Sequence, residues 1–189
     1  MRMDTRSAMT AAQVVNELPA GELTQIFKNY GEEPRAARIA REIVAQRAQR
    51  PIQTTGELAR ILESVAGTGT KESLKTKLRV FQALRIYVNR ELEVLRPALQ
   101  DAINILKPGG RIVVLSYHSL EDRVVKNTFR DAATGCVCPP RAPRCVCGEK
   151  KRLVLLNKRP QSADEAELAR NNRSRGARLR AAERIREES

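Results

Sequence analysis

Ala36, Ile39, Ala40, Ile43 and Val44 recur at steps of three and four, the spacing of one face of an α-helix, while Arg35, Arg38, Arg41 and Arg47 fall mostly off that stripe as a basic surface. The helix they predict opens at Pro34, where a missing N–H costs nothing, and stops at Pro51. Two shorter helices precede it. One starts at the capping box Thr10-Ala11-Ala12-Gln13 and runs to Leu18; the other covers residues 22 to 30 and ends at Gly31. A second capping box, Thr54-Thr55-Gly56-Glu57, starts a helix through Leu58, Ile61, Leu62 and Val65 that ends near Gly67 and Gly69. Leu74, Leu78, Phe81, Leu84, Val88, Leu92 and Leu95 then predict the longest helix, over residues 71 to 95. Pro97 should restart or kink it, with residues 98 to 106 running on to Pro108-Gly109-Gly110.

The texture changes after Gly110. Arg111-Ile-Val-Val-Leu-Ser116 is a β-branched apolar run that suits a strand buried on both faces of a parallel sheet, and residues 119 to 129 read as a helix. A later apolar run spans residues 152 to 157, and residues 177 to 185 are a doubtful third strand that propensity alone would make helical. This order is the tail of an α/β domain. So small a sheet leaves its edges open, which points either to a homodimer joined through the sheet or, preferably, to the C-terminal part of a longer protein.

Composition narrows the partner. The 189 residues carry 35 Lys+Arg against 22 Asp+Glu, a formal charge of +13 that calls for a polyanion. The tail from Arg170 to Ser189 holds seven arginines, among them Arg173, Arg175, Arg178 and Arg180, against three glutamates. Arg79, Gln82, Arg85 and Asn89 recur along one flank of the long helix, either as a row of donors for phosphates and base edges or as a solvated face. Three Phe, three Tyr and no Trp argue against a broad stacking platform for bases. No apolar run approaches the roughly 20 residues of a membrane span, and no secretory leader is evident, so the cytoplasm is the expected compartment.

Chemistry concentrates at two places. His118, the only histidine, lies just past the C-terminal end of the 112 to 115 run, where open α/β sheets bind ligands, and Ser116 and Ser119 flank it; Ser119 is also a candidate helix cap. Cys136, Cys138, Cys145 and Cys147 are all the cysteines of the chain, gathered around three prolines, so either a structural zinc knuckle or four reduced thiols in a loop is expected. Walker, Gly-rich nucleotide-loop, metalloprotease, nucleophile-elbow and kinase signatures are missing.

The stretch from Gly110 to Lys126, Gly-Arg-Ile-Val-Val-Leu-Ser-Tyr-His-Ser-Leu-Glu-Asp-Arg-Val-Val-Lys, resembles the signature of the ribosomal RNA small subunit methyltransferase H family. Met1-Arg-Met-Asp4, Tyr30-Gly-Glu-Glu33, Thr54-Thr-Gly-Glu-Leu-Ala59, Phe81-Gln-Ala-Leu-Arg-Ile86 and Asn172-Arg-Ser-Arg175 resemble it in the same order. The resemblance implies an S-adenosylmethionine-dependent enzyme that methylates the N4 amine of a cytidine in small-subunit ribosomal RNA, with that RNA or the small ribosomal subunit as partner. It implies the C-terminal part of a class I, Rossmann-like methyltransferase sheet with a mostly helical inserted domain. Residues 1–6 would end the N-terminal segment, residues 7–76 would form the insertion, and residues 77–189 would return to the methyltransferase domain, with residues 177–185 as a late strand. It also implies that the cofactor-binding motifs lie upstream of Met1, that Ser116, His118 and Ser119 position the cytidine, and that Arg79, Gln82, Arg85, Asn89 and the tail arginines hold the RNA. The rival reading is a non-catalytic RNA-binding module with a zinc knuckle.

Overall fold

The computed structural model describes the chain apart from residues 5, 7, 136–137, 139–143, 145–149 and 187–189. Two compact units divide it, Met1–Glu91 and Leu92–Ser189. The first is helical: α1 (Ala11–Glu17), α2 (Ala20–Gly31), α3 (Ala36–Gln49), α4 (Thr55–Ala66) and α5 (Lys71–Asn89). Both expected capping boxes form, Thr10 with Gln13 and Thr54 with Glu57, so each helix start has its free N–H groups met by side chains. Leu23, Phe27, Ile39, Ile43, Leu62, Val80 and Leu84 fill the core these helices share. Asn16 then ties α1 to the chain before α4, taking the Ile52 N–H at 2.9 Å and giving its amide to the Ile52 carbonyl at 2.8 Å.

Gly31 has a different role from the stop signal its sequence suggests. The left-handed residue that ends α2 is Glu32, at φ 49°, and Gly31 lies within the helix. A Cβ there would sit 2.7 Å from the Arg79 carbonyl oxygen, so Gly31 allows α2 and α5 to approach backbone to backbone. That close approach corrects the stripe expected on α5. Small residues do the packing, Ser73, Thr76, Val80 and Ala83 being buried, whereas Leu74 and Leu78 are 57% and 64% exposed. The long helix also ends ahead of Pro97: Arg90 turns left-handed at φ 53°, and α6 (Glu91–Ile105) carries Pro97 inside it.

The second unit is mixed α/β. β1 (Arg111–Ser116), α7 (Ser119–Thr134), β2 (Leu153–Leu155), α8 (Glu165–Arg170), a 3-10 turn (Asn172–Gly176) and β3 (Arg178–Arg184) follow α6. Residues 178–184 are a strand, as the family resemblance implies and propensity does not. The parallel sheet buried on both faces is not what forms among the described residues. β3 lies between β1 and β2 and pairs with both in antiparallel register, Ile112 opposite Ala182 and Leu153 opposite Arg184. Side chains therefore alternate. Ile112, Val114, Leu153, Leu155 and Ala182 pack against Leu99 and Ile103 of α6 and Val125 and Phe129 of α7. Val113, Leu115, Val154 and Leu156 point the other way and are 46–59% exposed. The apolar run reads as doubly buried because both faces are apolar, yet among the described residues helices cover one of them.

No helix among the described residues is long and apolar enough to cross a membrane. The uncovered sheet face should draw copies of the chain together at high concentration. Replacing Val113 and Leu115 together by Lys is expected to lower that association, seen as a loss of concentration dependence in sedimentation velocity.

Candidate functional site

β1 ends at Ser116, and the next three residues turn the chain into α7. Ser116 is buried and gives its hydroxyl proton to the Arg178 carbonyl at 3.2 Å, so it fastens the end of β1 to β3 instead of presenting a free hydroxyl. His118 is the N-cap of α7, at φ −138° and ψ 161°; Ser119, the expected cap, is the first residue of the helix. The imidazole Nδ1 accepts the Glu121 N–H at 3.3 Å, and the Glu121 carboxylate reaches back to the Tyr117 and His118 N–H groups at 3.0 and 3.4 Å. This is a capping box with histidine in the place of serine or threonine.

The cap fixes the tautomer. With Nδ1 used as an acceptor, the proton of the neutral ring resides on Nε2. That nitrogen is buried without a hydrogen bond, although Glu121 Oε1 lies 3.2 Å away off the hydrogen-bond line. The His118 side chain, with the Tyr117 N–H in support and burial opposing, holds the Glu121 carboxyl down to about 2 from an ordinary 4.5.

Next to the cap, Asp122 is buried and takes Arg180 from β3 in a two-pronged bond, Nε to Oδ1 at 2.6 Å and Nη2 to Oδ2 at 3.0 Å. Arg178 reaches the same carboxylate at 3.5 Å. The Arg180 side chain is the main cause of the lowered Asp122 pKa. Arg180, one of the expected RNA contacts, is thus an internal strut. The 3-10 turn closes against this loop because Gly176 has no Cβ; one would stand 2.9 Å from the Tyr117 carbonyl oxygen. Ser174, buried in the turn, bonds the Asn171 carbonyl at 2.7 Å, and its neighbours Arg173 and Arg175 are exposed and pair with no carboxylate among the described residues. Tyr117, 59% exposed, completes the rim.

The expected donor row in the helical unit is engaged internally. Arg79 faces Glu72 and the buried Glu33 at 3.4 and 3.5 Å, and Arg85 forks onto Glu91 at 2.9 and 3.1 Å. Asn89 holds Met1 and Met3 backbone groups at 2.9 and 2.8 Å, and Gln82 reaches the Tyr30 carbonyl at 3.5 Å. On α3, Arg38 and Arg41 are exposed, while Arg47 bonds the Val15 carbonyl at 2.8 Å. Of the four cysteines, Cys138 is half-buried; Cys136, Cys145 and Cys147, and with them the zinc arrangement, lie outside the described residues. Sequence reasoning missed Glu121 and Asp122, although the His-x-x-Glu spacing carried the signal.

The model of the MraW methylase family matches residues 1–185. The chain belongs to that family. Among its curated relatives, the ribosomal RNA small subunit methyltransferase H of Thermomicrobium roseum is 54% identical over 98% of this chain and 56% of its own length. The proteins of that name from Syntrophotalea carbinolica and Halothermothrix orenii are 49% and 46% identical, each over 98% of this chain, and are covered over 59% and 60% of their lengths. The chain therefore spans less than two thirds of these family members.

A carboxylate held below its ordinary pKa binds fewer protons folded than unfolded, so Glu121 contributes its full stability above 4.5 and loses it as pH falls toward 2. Glu121→Gln is expected to flatten that part of the acid limb, read from denaturant midpoints on either side of pH 4.5. For the buried pair, Asp122→Asn should cost about 3–5 kcal/mol by leaving Arg180 uncompensated. Replacing Asp122 by Leu and Arg180 by Met together should cost less than either single change, measured by urea unfolding.

Proposed function

We propose that a protein of the relatives' full length transfers a methyl group from S-adenosylmethionine to the N4 amine of a cytidine in small-subunit ribosomal RNA, and that this chain contributes the part facing the base and the RNA. The observation carrying this reading is the loop from Tyr117 to Glu121, where the capping box fixes the His118 ring and the exposed arginines of the 3-10 turn lie beside it. The names of relatives 46–54% identical over 98% of the chain support it.

On this reading the site for S-adenosylmethionine is completed by the relatives' remaining segment. None of the three strands leads into a Gly-rich turn, and the N-terminus of α7 is closed by His118 and Glu121. The chain's own residues act on the substrate. The His118 ring, its buried Nε2 3.2 Å from Glu121 Oε1, shapes the loop that receives the base, and Tyr117 and Ser119 stand on either side of it. Arg173 and Arg175 hold phosphates of the strand that delivers the nucleotide, which must leave its stack to enter. Ser116 and Arg180 position that loop; Arg79, Gln82, Arg85 and Asn89 brace the helical unit internally. Transfer to an aromatic amine depends largely on such placement.

The deciding experiment titrates S-adenosylmethionine calorimetrically into this chain and into a version extended by the relatives' remaining segment. Binding by the extended form alone is expected, with RNA methylation that falls about 100-fold in His118→Ala at unchanged cofactor affinity. Tight cofactor binding by the chain alone, or methylation indifferent to His118, would overturn the reading.

A further inference from the structure

Away from the His118 loop, the second unit has a crevice of about 190 Å³ lined by Arg96, Gln100 and Ile103 of α6, Thr128, Asp131 and Ala132 of α7, and Arg152 just before β2. Thr128 lies nine residues along α7 from Ser119, about 14 Å at the helical rise. Two of the crevice residues carry buried polar atoms that lack partners among the described residues. The hydroxyl of Thr128, a residue only 6% exposed, makes no hydrogen bond, and neither does the buried Nε of Arg152. The rest of Arg152 is fixed: its backbone N–H bonds the Ala132 carbonyl at 2.8 Å and its Nη1 the Asn104 side chain at 2.7 Å. Leaving a guanidinium N–H and a hydroxyl buried and unmet costs free energy that an acceptor in the crevice would recover.

Charge selects the acceptor. Arg96 is exposed and pairs with no carboxylate among the described residues, and the one acid lining the crevice, Asp131, accepts from Arg130 through its Oδ1 at 2.9 and 3.1 Å. Two guanidiniums, an amide and a hydroxyl around one concavity match a tetrahedral oxyanion better than a neutral ligand. We infer that this crevice binds a phosphate, and that its occupant is a backbone phosphate of the RNA, a second anchor remote from His118. The occupant rests on the RNA reading above.

The test has two arms, both on the full chain. In the first, inorganic phosphate is titrated while NMR follows the Arg152 Nε–H and the Thr128 amide. Saturable shifts are expected, weakened about tenfold in Arg96→Gln and Thr128→Val. Arg96 is exposed, and Thr128→Val keeps the shape of a hydroxyl that bonds nothing within the protein, so both variants should fold. In the second arm, binding of a mixed-sequence single-stranded RNA is measured against salt, and Arg96→Gln is expected to lower the slope of log K against log salt by about one. Phosphate shifts with an unchanged RNA slope would mean a free oxyanion site and overturn the RNA occupant. No shifts and no change of slope would mean that the crevice holds water only. An intact chain that binds no RNA would defeat the RNA reading itself, an outcome distinct from RNA binding that ignores Arg96.

Discussion

Arg180 enters the interior of the C-terminal unit from the middle strand of its sheet and meets Asp122 there with two nitrogens at once. A guanidinium and a carboxylate taken out of water repay their desolvation only when the geometry is nearly ideal and the remaining lone pairs are engaged. Both conditions are met: the bonds are 2.6 and 3.0 Å, and Arg178 brings a further donor. The pair fixes the first turn of α7 against β3, and that turn contains Glu121, whose carboxylate caps the helix together with His118. Orientation of the only histidine in the chain thus descends from a contact that faces no ligand. A small shift of β3 would be felt at the imidazole because no flexible element intervenes.

The helices were legible where their punctuation is local. Thr10, Thr54, Pro34 and Pro51 mark starts and stops through chemistry that acts within a few residues, and α1, α3 and α4 fall where those residues put them. What sequence reasoning misjudged depended on partners far away in the chain. Leu74 and Leu78 keep helical spacing with Phe81 and Leu84, but Gly31 lets the α2 backbone touch α5 along a different flank, where Ser73, Thr76 and Ala83 fit and leucine would not. Likewise Ile112 to Leu115 reads as doubly buried because hydropathy counts residues and cannot see that only α6 and α7 cover the sheet.

The same limit applies to the candidate site. Residue type and position singled out His118 just past the strand end, where it caps α7, yet they could not separate arginines that solvate from arginines that brace. Arg173 and Arg180 lie seven positions apart in one basic tail; the first is exposed, and the second has its charge consumed by Asp122. Arg173 lies in the 3-10 turn outside the sheet, whereas β3, with Arg180 opposite Val114, turns Arg180 onto Asp122 of α7. Net charge in such a tail therefore overstates what is offered to a polyanion.

The order β1, β3, β2 means that the first two strands have no bonds to each other and that each is held by the third. Because β3 is Arg178–Arg184, neither earlier strand has a partner among the described residues until the ribosome has made it. The helical unit, by contrast, contains all of its own packing within Met1–Glu91. During synthesis the helices of Met1–Glu91 can settle while β1 and β2 have, among the described residues, no strand to pair with. For these described strands, an interval open to chaperones and to misassociation is thus written into the strand order, and pairing within the sheet arrives with β3.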